Sequence, residues 1–119
     1  MTGKLTTHVL DISIGKPATG VFVELVRFGP IQGVESIRSS YTNDDGRLNF
    51  PLLEGEDMKK GIYELHFHVG DYYRKLGASN ESPSFLDCVP VRFGISEPAS
   101  HYHVPLLISP GGYSTYRGS

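Results

Sequence analysis

Glycine and proline set the frame of this chain. There are 14 glycines and 8 prolines among 119 residues, and they fall between short runs in which apolar and polar residues alternate. Alternation marks strands, and turn residues at such close intervals leave no room for long helices. The pattern predicts an all-β sandwich or barrel. The first run is KLTTHVLDISI, Lys4 to Ile14, closed by GKPATG. VFVELVRF, Val21 to Phe28, follows, then GPIQG and VESIRSSYT, Val34 to Thr42. NDDGR closes that run, and its Asp45-Gly46 pair is a strong tight-turn signal because glycine tolerates positive φ. A short strand is expected at LNFPL, a polar loop at EGEDMKKG, and a clear strand at IYELHFHV, Ile62 to Val69. DCVPVRFGI and HYHVPLLI are two more strands, and GGYSTYRGS is a terminal strand or extension.

One segment departs from this pattern. GDYYRKLGAS reads as a helix of about two turns, with Asp71 as its cap, Arg74 and Lys75 in its last turn and Gly77 to end it. The expected architecture is therefore about eight strands and one short helix in a single domain spanning 1–119.

Charge and cysteine narrow the class. The net charge of −2 gives no basic footprint for nucleic acid. Cys88 is the sole cysteine, so no intrachain disulfide forms; it reads as a small core hydrophobe. No apolar run reaches the roughly 20 residues that span a bilayer. MTGKLTTHVLD lacks the apolar stretch of a signal peptide, so a cytoplasmic location is expected.

The faces of the strands point to function. Alternate residues of a strand face opposite sides. In the first strand Leu5, Thr7, Val9 and Asp11 share one face, and Thr6, His8, Leu10 and Ile12 the other. In HYHVPLLI, Tyr102, Val104, Leu106 and Ile108 oppose His101, His103, Pro105 and Leu107. Neither strand has a cleanly polar face, whereas a sandwich sheet normally wets one side. The second face is expected to be covered by another subunit. With Val9 and Val104 in the core, His8 and His103 lie on that covered face. If the alternation resumes beyond SPGG in phase with a core-facing Tyr113, then Ser114, Tyr116 and Gly118 join them. An apolar groove with a few convergent polar groups is the usual make-up of a small-molecule site.

LTTHVLDISIGKPATGV, TNDDGRL and HYHVPLLISPGGYSTYRGS together resemble the 5-hydroxyisourate hydrolase family, the transthyretin-related enzymes of urate breakdown. The likeness runs over nearly the whole chain and includes GIYELHFHVGDYYRKLG. The terminal YRGS is its most specific element and separates the hydrolases from transthyretin proper. FLDCVPVRF departs from the family pattern, near Leu86 and Cys88. The resemblance implies a transthyretin-like (prealbumin-like) eight-stranded sandwich. It implies a homotetramer with sites in a channel at the dimer–dimer interface, and no metal or organic cofactor. It implies hydrolysis of 5-hydroxyisourate to 2-oxo-4-hydroxy-4-carboxy-5-ureidoimidazoline. It also carries His8, Arg47, His103 and Ser119 as catalytic residues, with Tyr116, Arg117, Gly118 and Ser114 binding substrate.

These residue types suit the reaction. Water must attack a ring carbonyl, an oxyanion develops and a ring nitrogen leaves. Histidine, with an ordinary pKa of about 6.5, suits proton transfer near neutral pH; either histidine serves as base on this reading. An arginine stabilises developing negative charge by charge-assisted hydrogen bonds. The bland readings are a packed strand histidine, a solvated arginine after a turn, and an aromatic tail docked on a neighbour. The competing function is a transthyretin-like small-molecule carrier without turnover, which would want apolar walls rather than titratable ones. The pairs His66/His68 and His101/His103 have zinc-like spacing but lack further ligands nearby, so no metal is expected.

Overall fold

The computed structural model describes residues 3–29, 33–78 and 80–118. Nine strands occur among them: β1 Lys4–Asp11, β2 Lys16–Pro17, β3 Phe22–Gly29, β4 Gly33–Tyr41, β5 Leu53–Glu54, β6 Gly61–Phe67, β7 Val89–Ile95, β8 Tyr102–Ser109 and β9 Gly112–Thr115. The expected sandwich is present. One sheet runs β2-β1-β8-β9 with β5 also on β1, and the other runs β4-β3-β6-β7. A 3-10 turn, Gly55–Asp57, interrupts the loop expected after β5, and one helix, α1, spans Val69–Lys75.

The alternation of the strands is what lets two sheets share a core. Leu5, Val9, Leu106 and Ile108 from the first sheet, and Val23, Leu25, Leu65 and Phe67 from the second, are all fully buried. Each such side chain contributes about 1.5–3 kcal/mol over its exposed state. All other pairings in both sheets are antiparallel; β1 and β8 alone run parallel, with Leu5 opposite Tyr102, Thr6 opposite His103 and so on to Asp11 opposite Ile108. Antiparallel neighbours join by tight turns, whereas a parallel pair needs a long crossover. Here that crossover includes the whole second sheet.

Several local expectations shift. β1 ends at Asp11 rather than Ile14, because Asp11 accepts from the Ser13 amide and hydroxyl and turns the chain. LNFPL is not a strand; the pairing residues are Leu53 and Glu54. Helix α1 begins before Asp71, with His68 at its N-cap and no side-chain cap bond. Asp71 instead sits in the first turn and pairs with Arg74, a favourable sign near a helix start. Gly77, at φ 74°, ends the helix as expected. Cys88 is exposed rather than in the core. Leu25 and Val26 are both buried although successive. The register of β4 slips beside them, and Ile37, the extra residue, packs on the core, the usual effect of a bulge.

Helix α1 is too short to be stable alone. It is tied to β1 through Asp11, which is buried and accepts from the hydroxyls of Tyr72 at 2.8 Å and Tyr73 at 2.9 Å. Burial alone would raise the Asp11 pKa, but hydrogen bonds from Ser13, Tyr72 and Tyr73 outweigh it and hold the carboxyl below its ordinary value. Burial and the bond to Asp11 push both phenols up. Among the described residues no helix is long and apolar enough to cross a membrane.

A carboxylate with a depressed native pKa stabilises the fold fully above its unfolded value, about 3.9, and the stabilisation is lost as pH falls through the native value. Asp11→Asn is expected to cost about 1.5–3 kcal/mol at neutral pH. Urea melts of both proteins across the acid range check this. The variant should lose less stability on acidification than wild type; equal pH slopes would remove Asp11 from the account.

Candidate active site

His8 and His103 reach one face of the first sheet because β1 and β8 are parallel and in phase. His103 stands opposite Thr6, and His8 lies two residues further along the same face of β1. Strand spacing and rise put the two α-carbons on the order of 8 Å apart. Both side chains are half-buried, while Val9 and Val104 behind them are in the core.

The turn after β4 delivers Arg47 to the same place. Asn43 builds the turn: its Oδ1 accepts from the amides of Asp45 and Arg47 at 2.9 and 3.1 Å, an Asx arrangement. Gly46 sits at φ 75°, and a Cβ there would meet the Val9 carbonyl at 2.3 Å. Only glycine fits on both counts. The turn is then fastened to β1 by the Val9 amide donating to the Gly46 carbonyl at 2.8 Å, and His8 forms a bridge with Arg47. His8 Nε2 lies 2.8 Å from the Asp45 carbonyl. A carbonyl only accepts, so this nitrogen carries the proton, and the neutral ring keeps its lone pair on Nδ1.

The tail supplies a third side. β9 pairs with β8 antiparallel, Ser114 opposite Leu107 and Thr115 opposite Leu106. The same register returns at the bridge between His103 and Gly118, where the Gly118 amide donates to the His103 carbonyl at 2.7 Å. Gly118 lies directly on the imidazole: a Cβ would fall 2.7 Å from His103 Cδ2. Burial first, then the positive charges of Arg47 and His8, hold the His103 pKa below its ordinary value against an opposing main-chain contact with Thr6. The ring is therefore predominantly neutral at pH 7. Beside it, Thr6, Arg47, Asn49 and Phe50 help to line a depression of about 270 Å³. A larger one, about 420 Å³, lies elsewhere, at Arg27, Arg38 and Tyr63, and holds none of these groups.

His8, Arg47, His103 and Gly118 thus converge. The other expected residues are placed differently. Ser114 is on the same face but four residues along β8 from His103 by register, roughly 13 Å. Tyr116 is 60% exposed. Arg117 turns away: its guanidinium stacks 4.0 Å from the Tyr102 ring centre and donates to the His101 carbonyl at 3.1 Å. It therefore fastens the tail to the start of β8. Tyr113, expected to face the core, is opposite Ile108 but 46% exposed at the edge. Ser119 lies outside the described residues. Thr6, which was not singled out as functional, has its Oγ1 2.8 Å from His103 Nδ1; the available signal was its place two residues from His8 on the same face.

Other candidate chemistry falls away from this cluster. His66 bonds Glu64 at 2.8 Å on the second sheet. Among the described residues no group of three or more His, Cys, Asp or Glu is placed to hold a metal ion. Desolvation by neighbouring atoms, then the negative charges of Asp87, Glu24, Glu64 and Asp71, push the exposed Cys88 thiol up, away from a reactive thiolate.

Residues 5–118 match the model of the HIUase/Transthyretin family. A 5-hydroxyisourate hydrolase of Halalkalibacterium halodurans is 56% identical over 121 residues, covering 100% of both chains. A solved 5-hydroxyisourate hydrolase of Klebsiella pneumoniae superposes with a TM-score of 0.82 at 38% identity, covering 98% of this chain and 99% of that one. The crystal structure of (S)-allantoin synthase superposes with a TM-score of 0.92 at 44% identity over 99% of this chain. The match covers 44% of the synthase chain, so this protein spans under half its length.

Two measurements check the site. Gly118→Ala should lift the tail from β8, so that the amide at 118 loses hydrogen-exchange protection while the global unfolding free energy changes by under about 0.5 kcal/mol. Retained protection would mean that the ring yields instead. In an NMR titration, His103 should show its midpoint below the ordinary value of about 6.5; a midpoint above it would contradict the burial and charge described for this ring.

Proposed function

The chain belongs to the HIUase/Transthyretin family, and from that premise we propose that it opens the ring of 5-hydroxyisourate by hydrolysis. The product is 2-oxo-4-hydroxy-4-carboxy-5-ureidoimidazoline, in the degradation of urate. The observation that carries this reading is the convergence of two half-buried imidazoles and a guanidinium on one side of β1 and β8. A site of that polarity suits turnover better than the carriage of an apolar ligand.

The protonation states supply a scheme. His8 Nδ1, left with a lone pair by the bond at Nε2, takes a proton from water. The water oxygen adds to a ring carbonyl carbon, and the oxyanion that forms is held by the Arg47 guanidinium. The carbon–nitrogen bond then breaks. The leaving nitrogen takes the proton that His8 Nδ1 received from water, the N–H at Nε2 of His103 donates a hydrogen bond to the substrate, and the carbonyl carbon ends as a carboxyl group. His8 is then neutral again and His103 has kept its proton, so the protein is unchanged. Backbone at Gly118 walls the His103 side. Tyr116 binds the ring from the rim in this scheme, Ser114 lies too far along β8 to join it, and Ser119 is assigned to the same site. Arg117 contributes by holding the tail through Tyr102.

The same reading includes a homotetramer whose dimers meet across the His face. In support, Ile12 and Ile14 stand exposed just after β1, and Leu10 and Leu107 are apolar residues left half-buried on the outer face.

The test is the absorbance decay of 5-hydroxyisourate generated from urate by urate oxidase. Wild-type protein should accelerate it. His8→Ala should lose about 10²–10⁴ of the rate, and Arg47→Ala about 10²–10³. Decay unchanged by wild-type protein would leave the carrier in place of the enzyme.

A further inference from the structure

The geometry points to Thr6 as the positioning residue of His103: its hydroxyl donates to Nδ1, so that the neutral ring presents an N–H at Nε2 to the site. The role of that N–H rests on the hydrolytic reading above; the contact itself does not. Thr6 occupies the rung directly across from His103, with Oγ1 2.8 Å from Nδ1. The neighbouring Thr7 points to the other face, where its hydroxyl donates to the Val104 carbonyl at 2.7 Å. Two successive threonines therefore serve opposite sides of one strand, and a β-branched side chain holds its χ1 stiffly.

The opposite edge of the ring is closed as well. Cδ2, the neighbour of Nε2, lies under Gly118 close enough that no side chain fits between them. Turning the ring over would exchange Nδ1 with Cδ2. It would set a carbon against the Thr6 hydroxyl and strip that hydroxyl of its partner. The ring is thus keyed in one orientation, with Nδ1 taken and Nε2 free for substrate. A neutral imidazole has one donor nitrogen and one acceptor nitrogen. In the proposed arrangement Thr6 donates to Nδ1, which places the proton on Nε2.

His8 is set in the complementary way. Its Nε2–H is spent on the Asp45 carbonyl, and its Nδ1 keeps the lone pair. In their neutral forms the two imidazoles then offer the site one acceptor and one donor. Burial of His103 first, then the positive charge of Arg47, favours the neutral ring that this division needs. A hydrogen-bond partner that fixes a histidine tautomer commonly decides which nitrogen works.

Long-range proton–nitrogen NMR on the full chain, with ¹⁵N-labelled histidine and no ligand, reads the tautomers. His103 is expected with its proton on Nε2, and His8 likewise. Thr6→Val removes the hydroxyl. It should turn His103 into a mixture of tautomers and lower kcat by about 10²-fold, the scale of a small misplacement, with KM within about twofold. Thr6→Ser keeps the donor and should restore both the single tautomer and kcat to within about threefold. Two results would overturn the assignment: a wild-type His103 protonated on Nδ1, or a His103 signal unchanged by Thr6→Val. A changed tautomer with unchanged turnover would uphold the Thr6 contact and refute the donor role of His103 Nε2. Should Thr6→Val fail to fold, the wild-type spectrum and Thr6→Ser still decide the matter.

Discussion

The parallel register of β1 on β8 is the constraint from which the site follows. Thr6 and His103 are 97 residues apart in the chain and meet because that register places them on one rung. A slip of one residue would send His8 into the core and Val9 out of it, since strand faces alternate strictly. The packing against the second sheet resists such a slip, because it would expose Leu5 and Val9 together. Burial of the core and alignment of the imidazoles are therefore one requirement rather than two.

The polar contacts that shape the site lean heavily on the main chain. The Asp45 carbonyl holds His8, the Gly46 carbonyl holds β1, and the Gly118 amide and α-carbon define the wall over His103. Side-chain partners appear mainly at Asn43 and Thr6. At the far end of β1 the balance is reversed. There Asp11 gathers the hydroxyls of Ser13, Tyr72 and Tyr73 to seat a helix that could not stand alone. One strand thus carries the structural anchor at its end and the chemistry at its middle.

Much of this was legible from local pattern. Alternation alone separates His8 from Val9 and His103 from Val104, and Asp45-Gly46 announces its turn. What pattern does not carry is partnership across the chain. Nothing local to LTTHVLD or HYHVPLL says that they pair in parallel, so Thr6 looked like any other strand threonine. Arg117 sits in the motif with the strongest likeness to the family, yet it faces the Tyr102 ring, because one residue of alternation separates it from Gly118. Cys88 looked like a core residue by type, but β7 begins only at Val89, and the residue before it is exposed. Likewise Val26 is buried out of phase because β4 carries an extra residue, which is visible only once β3 and β4 are paired.

The Asp45 carbonyl has a further implication. Both bonds made at this position, the amide to Asn43 and the carbonyl to His8, come from the backbone. The side chain of Asp45 is thus free of structural duty, and a different residue there would hand His8 the same oxygen. Genetic variation can drift at this position without touching the imidazole it orients, while its neighbour Gly46 has no such latitude. The protein keeps a key contact in a form that the genetic code cannot easily delete.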